Sequence, residues 1–503
     1  MLSPATAAGY GARPALRDSA RAISYASLPA LLAAEGDWLR QSGGRRFALL
    51  ADNGCAWALT DLALGNRALL HVPVPGYFTA GQMTHVLNDA GIDTVVTDQA
   101  ATLSDLRLGF APAGVSAQTG LALWRRPAPA ASCPLPAGTV KITYTSGSTS
   151  EPKGVCLSAE LIGSVARSLA GATASLRLER HLCLLPLPTL LENVAGIYGG
   201  LLSGATCEIP SLAETGMSYG GLQPGRLTAA IAAGEPHSLI LVPELLRVLV
   251  HAAVMGWEPP ASLRFIAVGG ALVSPELLAE ATRLGLPVFE GYGLSECGSV
   301  VCLNTPGSHR LGSVGRPLPH VRVRIDGSGQ ILVRNAGMLG HLGDPPSSPR
   351  DEIATGDLGS IDADGFVHVR GRLKDLIITS LGRNIAPEWV ERELRKEPEI
   401  ASAVVVGEAQ PWLAALLTPA SAGCTPARID AAVARANRRL PDYARVRAWA
   451  LPAQPFTVAN GSLTANGRLR RAHILREQAP VIRQLYRASA GASAGTSAGE
   501  RCA

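Results

Sequence analysis

The run Ile142-Thr143-Tyr144-Thr145-Ser146-Gly147-Ser148-Thr149-Ser150-Glu151-Pro152-Lys153-Gly154 carries an apolar start, a block of small hydroxyl-bearing residues and then a lysine. Backbone N–H groups and hydroxyls in such a loop can surround phosphate oxygens, and a lysine adds a point charge. The spacing is not that of a GxxxxGK[ST] loop. Taken alone, a loop of this kind is more often a solvent-exposed polar turn. Lysine sharpens the reading, because it occurs only at Lys141, Lys153, Lys374 and Lys396 in a chain that otherwise uses arginine. Each surviving lysine is therefore a candidate for a specific task.

The elements around such a loop read as an α/β protein. Ser238 to Val242 is a short apolar strand pattern, and Glu244 to Met255 follows with helical spacing. Leu263 to Val268 repeats the strand, ends at Gly269-Gly270, and gives way to a helix with Ser274 as N-cap and Pro275 in its first turn. Strand, glycine turn, helix is the grammar of a parallel sheet, whose ligands bind at the carboxyl ends of strands. After about residue 310 short strands predominate, at Val321–Ile325, Gln330–Arg334 and Phe366–Arg370, with Asp364-Gly365 as a hairpin turn. A compact α+β stretch then begins. Its helix opens at Pro387 and reaches Lys396, and its strands are Ala403–Val406 and Leu413–Leu417.

Composition sets the bounds. At 503 residues, 47% hydrophobic and 17% charged, the chain has ample material for large cores and is not a disordered polymer. No apolar run reaches the roughly 18–20 residues of a spanning helix, and Met1 to Arg21 lacks the pattern of a secretory signal. A net charge of +5 over this length gives no case for nucleic-acid binding. Nine cysteines without a CxxC pair point to reduced thiols and a cytoplasmic protein, and Cys297 and Cys302 lack the companions of a zinc site.

Further segments line up in order with the first. They are Gly269-Gly270-Ala271, then Glu290-Gly291-Tyr292-Gly293-Leu294-Ser295-Glu296, then Thr355-Gly356-Asp357, then Gly371-Arg372-Leu373-Lys374-Asp375 running on to Gly382-Arg383-Asn384-Ile385. Together they resemble the adenylate-forming (AMP-binding) superfamily of acyl-CoA synthetases, peptide-synthetase adenylation domains and luciferases. The style is closest to long-chain fatty acyl-CoA synthetases, and the resemblance spans roughly residues 25 to 476.

That resemblance implies a large domain, residues 1–371, of parallel α/β subdomains plus a distorted β-barrel. A small mobile α+β cap, residues 372–487, and a disordered Ala/Gly/Ser-rich tail, residues 488–503, complete the expected organisation. It also implies roles. Thr145, Ser146, Gly147, Ser148 and Thr149 would cradle the ATP phosphates with Lys153. Gly269, Gly270 and Ala271 would form the adenine-side loop, with Gly269 also facing the acid. Tyr292 and Gly293 would meet adenine, Ser295 the α-phosphate, and Glu296 Mg²⁺, a hard cation that prefers oxygen ligands. Asp357 would bind the ribose hydroxyls beside Arg372. Lys374 would be the hinge, Gly382 would lie on the CoA side, and Thr189 would line the acid pocket.

The implied reaction is attack of a carboxylate on the ATP α-phosphorus, then transfer of the acyl group to the thiol of CoA. An acyl carrier protein as acceptor, β-lactone formation, or a non-catalytic relic are the alternatives. The aliphatic stretch Leu184 to Gly200 favours a fatty or other aliphatic acid.

Departures from the family pattern are specific. Ser150 stands where the phosphate loop usually has glycine, Ser295 where threonine is usual, and Thr189 where many relatives carry histidine, with Glu192-Asn193 downstream keeping the family style. The last motif, around Asn460-Gly461-Ser462 and Ala465-Asn466-Gly467-Arg468, has arginine at the position of the family's adenylation lysine. No lysine follows Lys396 to replace it. Arginine keeps the charge in a bulkier, planar form. The arginines at 435, 438, 439, 445 and 447 read as a solvated helix face, or as an attractor for the phosphates of CoA or of a carrier-protein arm.

Overall fold

The computed structural model describes residues 9–127, 133–145, 152–218, 221–271, 273–334, 337–344, 352–380, 384–421, 423–464 and 467–492. The chain divides into two compact units. The larger comprises 1–326, 332–355 and 361–368, and the smaller comprises 327–331, 356–360 and 369–503.

The larger unit holds two extended sheets. In the nine-stranded one, the run Pro14–Arg17, Thr206–Glu208, Arg180–Leu182, Ser238–Leu241, Phe265–Val268 and Val288–Tyr292 is parallel throughout. Antiparallel strands close its edges. In the eight-stranded one, Lys141–Thr145, His71–Pro73, Phe47–Leu50 and Thr94–Thr97 form the parallel centre. Parallel strands covered by helices bury both faces, and the core residues Leu239, Leu241 and Ile266 are fully enclosed with Leu246 and Leu249 of the helix Pro243–Val254. That helix begins one residue earlier than its apolar spacing suggests, because Pro243 fits the first turn, where no N–H is needed. Ser274 caps the next helix, Pro275–Arg283, by accepting from Leu277 N–H.

The later strands are Arg322–Ile325, Gln330–Arg334, Glu352–Ile361 and Val367–Arg372. The turn between the last two is closed by Gly365, at φ +84°, and by Asp362 N–H donating to Phe366 O.

In the smaller unit, Ile400–Val406 pairs antiparallel with Leu413–Pro419, which pairs parallel with Val446–Ala450. The helices Pro387–Arg395 and Pro426–Arg438 bury Val390, Leu394, Ile429 and Ala432 against this sheet. Two arginines of the stretch read as a solvated helix face, one in the second helix and one just after it, are paired with carboxylates. Arg435 binds Glu397 and Glu399, and Arg439 binds Glu393 and Glu397. The last helix, Ala479–Ala492, runs into the alanine-rich stretch expected to be disordered, since alanine is the best helix former. Residues 493–503 lie outside the described residues.

Among the described residues no helix is long and apolar enough to cross a membrane.

Candidate functional site

Strand Lys141–Thr145, ahead of the hydroxyl-rich segment, pairs antiparallel with Lys153–Leu157 behind it, with Thr145 opposite Lys153. Ser146, Gly147, Ser148, Thr149 and Ser150 lie outside the described residues, as does the Thr145 side chain. Their base is rigid, because Ile142, Val155, Cys156 and Leu157 are fully buried. Lys153 opens its strand with an exposed side chain. Gly154 beside it leaves no room for a methyl group, since a Cβ there would come 2.9 Å from Ile142 Cγ2.

Two further candidate segments meet at the carboxyl ends of neighbouring parallel strands. Val268 is in register with Glu290, so Gly269-Gly270-Ala271 emerges next to Gly291 and Tyr292. A Cβ on Gly269 would sit 3.1 Å from Gly291 O, and Gly270 takes φ +85°. Gly293 is sterically mandatory, because a Cβ there would fall 1.6 Å from Ser299 O. This close packing aims the short turn Ser295–Cys297, which carries Ser295 and Glu296.

The Glu296 side chain is 28% exposed, with His341 Nε2 at 3.9 Å from Oε1, while Met338 N–H holds the Glu296 backbone carbonyl at 3.2 Å. A partly exposed carboxylate on an anchored backbone fits a hard divalent cation that keeps water and phosphate oxygens as its other ligands.

In the smaller unit, Asp357 and Arg372 are brought together. Arg372 Nε lies 2.8 Å from Asp357 Oδ1, and the Asp357 side chain is nearly buried. Gly356, at φ +72°, donates its N–H to Gln330 Oε1 at 3.0 Å and so fixes the approach to Asp357. Lys374 falls in the turn Leu373–Asp375, with its side chain outside the described residues, and Gly382 lies outside them altogether. Arg468 is exposed. Its N–H is accepted by Thr464 Oγ1 at 3.0 Å and its carbonyl accepts from Thr464 N–H at 2.7 Å, which fixes its backbone.

Beside Gly371, Glu388 Oε2 is buried and makes no hydrogen bond among the described residues. Burial, then the nearby Glu391, push the Glu388 carboxyl up to about 7 against the pull of Arg471.

The acid-side segment Leu185–Thr189 leads into a π-helical turn, Glu192–Tyr198. Thr189 Oγ1 is buried. Its polar neighbour is the Tyr77 phenol, which burial pushes up to about 12. Glu192 is fully buried and accepts from His181 Nε2 at 2.9 Å and from Leu185 N–H at 3.0 Å. Donor atoms of His181, Cys183 and Glu192 lie within 4.8 Å of one another, as a metal site requires. The hydrogen bonds already engage both carboxylate oxygens, which accounts for the cluster without an ion. The cysteines among the described residues, Cys297 and Cys302 included, are free thiols.

One group escaped sequence reasoning. Lys141 is buried, with Nζ 2.8 Å from Asp61 Oδ1, 2.6 Å from Asn193 Oδ1 and 3.1 Å from Tyr198 Oη. His71 Nε2 adds a contact to Asp61 at 3.1 Å. Burial opposes ionisation of Asp61, but Lys141 and His71 outweigh it and hold the carboxyl well below its usual range. The scarcity of lysine was the signal available for Lys141. Nothing local marked its partners.

Residues 4–341 match the family model described as AMP-binding enzyme, and residues 374–490 match the AMP-binding enzyme C-terminal domain. The long-chain-fatty-acid–CoA ligase FadD15 of Mycobacterium bovis is 27% identical over 537 aligned positions, covering 88% of each chain. A feruloyl-CoA synthase of an Amycolatopsis species is 28% identical over 79% of this chain and 83% of its own. Among solved structures, the anthranilate CoA ligase AuaEII in complex with anthranoyl-AMP superimposes with a TM-score of 0.77 at 19% identity, covering 94% of this chain and 95% of that one. The amide bond synthetase McbA of Marinactinospora thermotolerans gives 0.72 at 24% identity, over 94% and 98%. These likenesses bear out the α/β fold with a separate C-terminal region.

Proposed function

The chain belongs to the AMP-binding enzyme family, and on that premise we propose that it joins a carboxylic acid to the thiol of CoA through an acyl-adenylate. In the first step a carboxylate oxygen attacks the α-phosphorus of ATP and pyrophosphate leaves. In the second, the CoA sulfur attacks the acyl carbonyl, AMP leaves with the bonding pair, and the thiol proton passes to solvent. Adenylation needs positioning and charge neutralisation more than covalent help.

The observation that carries this reading is the meeting of Gly269–Ala271 with Tyr292–Glu296 at adjacent strand ends. Such a pair of loops can hold a flat base and aim a hydroxyl and a carboxylate at its phosphates. Tyr292 would offer its ring to adenine and Ser295 its hydroxyl to the α-phosphate, with Thr145–Thr149 and Lys153 on the outer phosphates. Asp357 would take the ribose hydroxyls, and Arg468 would stand in for the family's lysine between carboxylate and α-phosphate. Mg²⁺, when bound, neutralises phosphate charge, and Glu296 is the residue that would hold it.

The acid is proposed to be fatty or otherwise aliphatic, working in the cytoplasm. The support is the apolar character of Leu184 to Gly200, the FadD15 likeness and the free thiols. The names of other relatives differ on the acid, so the substrate is the point to test. Pyrophosphate release should be measured with ATP and Mg²⁺ over aliphatic acids of increasing length and a cinnamate-type acid, followed by mass spectrometry of the CoA product. Activity confined to the aromatic acid would refute the aliphatic assignment. No acid-dependent release at all would refute the ligase.

A further inference from the structure

The segment Leu185-Pro186-Leu187-Pro188 has only two backbone N–H groups, because proline has none. Both are taken by side chains. Leu185 N–H donates to Glu192 Oε2 at 3.0 Å, and Leu187 N–H donates to Asn53 Oδ1 at 2.9 Å. Asn53 Nδ2 in turn donates to Leu185 O at 3.0 Å. Asn53 therefore grips the segment twice, in the one amide orientation that satisfies both bonds. Glu192 is itself braced, since its other oxygen meets His181 Nε2 while His181 Nδ1 meets Ser238 Oγ at 3.0 Å. Asn53 is 7% exposed and Glu192 not at all, so neither clamp competes with water. A Cβ on Gly196 would fall 2.2 Å from Glu192 Oε1, so the π-helical turn closes directly over the carboxylate.

We infer that Asn53 and Glu192 are positioning residues that fix the backbone of Leu185–Thr189 and thereby set which acid the enzyme accepts. The inference rests on the proposed function, in which Thr189 lines the acid pocket. Thr189 N–H closes a turn onto Pro186 O at 2.9 Å, and the rest of the segment, without ladder hydrogen bonds, takes its path from two side chains of other elements. ATP is held elsewhere in that proposal, so loosening the clamp acts on the acid alone.

The test compares Asn53→Ala, Glu192→Leu and Glu192→Gln in the full chain. The first two should raise KM for the preferred acid about tenfold and flatten the preference between acid lengths, while KM for ATP stays within about twofold. Glu192→Gln should remain close to wild type. Its amide oxygen can accept from Leu185 N–H and its NH₂ can donate to the other tautomer of His181. An unchanged acid KM in folded Asn53→Ala, or equal rises for acid and ATP, would overturn the proposal. So would Glu192→Gln behaving like Glu192→Leu.

Hydrogen exchange gives a readout without turnover. A peptide spanning 184–190 should exchange slowly in the wild type, and fast exchange there would overturn the clamp even if a variant failed to fold. A wild type that is clamped by this measure yet shows no acid-dependent pyrophosphate release would overturn the activity reading and, with it, the role in selectivity.

Discussion

The Arg372 guanidinium holds the Asp357 carboxylate, Nε to Oδ1 at 2.8 Å, within one compact unit. A nearly buried carboxylate fixed by a cation is an oriented acceptor, ready for a pair of vicinal hydroxyls. Charged hydrogen bonds of this kind contribute about 1.5–3 kcal/mol each. Asp357→Ala should therefore weaken ATP by at least tenfold in titration calorimetry. Unaltered affinity in a folded variant would contradict the ribose assignment.

Glu296→Gln keeps the size of the side chain and removes its charge. If Glu296 holds the metal, the variant should lose at least tenfold in rate, about 1.4 kcal/mol in the transition state, and should need more Mg²⁺ to saturate. An identical Mg²⁺ titration would remove Glu296 from the site.

Arg468 decides whether the arginine works in place of lysine. Its side chain is exposed, and a guanidinium can bind a carboxylate or phosphate bidentately. Arg468→Ala should suppress acyl-adenylate formation by 10² or more, about 2.7 kcal/mol, while CoA transfer from preformed adenylate persists. If the wild type proves inactive and Arg468→Lys is vigorous, the chain is a relic disabled at this position.

Lys141→Met would remove the ammonium partner of the buried Asp61 and leave it only His71 and neutral hydrogen-bond donors, at a cost of up to about 3–5 kcal/mol. The larger unit should unfold at clearly lower denaturant, and Asp61→Asn combined with Lys141→Met should recover part of the loss. Equal stability of Lys141→Met and wild type would show that the network is dispensable.

The smaller unit should carry a pH signature at Glu388. Burial and Glu391 raise its folded value from 4.5 to about 7. Between those values the unfolded chain releases a proton that the folded chain keeps, so stability falls as pH rises through this window and levels off above about 7. The full effect is on the order of 3 kcal/mol. Glu388→Gln should flatten the profile and stabilise the protein at alkaline pH, as urea unfolding across that range would read. A profile indistinguishable from wild type would place the proton elsewhere.

Much of this was legible in the sequence where the determinant is local. Ser274-Pro275 announces a helix start, and the structure has the cap bond to Leu277. The strand Gln330–Arg334 has the bounds its pattern suggests, and Leu413–Pro419 only outruns its own by two residues. Gly269–Ala271, Tyr292–Glu296 and Gly371–Asp375 likewise sit at strand ends and turns that their glycines suggest, whereas Thr355-Gly356-Asp357 lies within the strand Glu352–Ile361. The buried polar work was not legible. Asp61 and Lys141 are 80 residues apart, Asn53 and Leu185 are 132 apart, and no periodicity records such a pairing. The π-helical turn at Glu192–Tyr198 was equally hidden, and its two ends bond to His181 and Asp61 on other elements.

The smaller unit takes two short pieces, 327–331 and 356–360, from the middle of the chain before its main stretch begins at 369. Recombination with a relative must respect this interleaving. A chimera spliced once, just ahead of 369, would draw Asp357 from one parent and Arg372 from the other, and would ask two lineages to supply matching halves of an ion pair. Exchanging all three pieces together transfers the pair intact, so the natural unit of shuffling in this protein is a set of segments and not a C-terminal fragment.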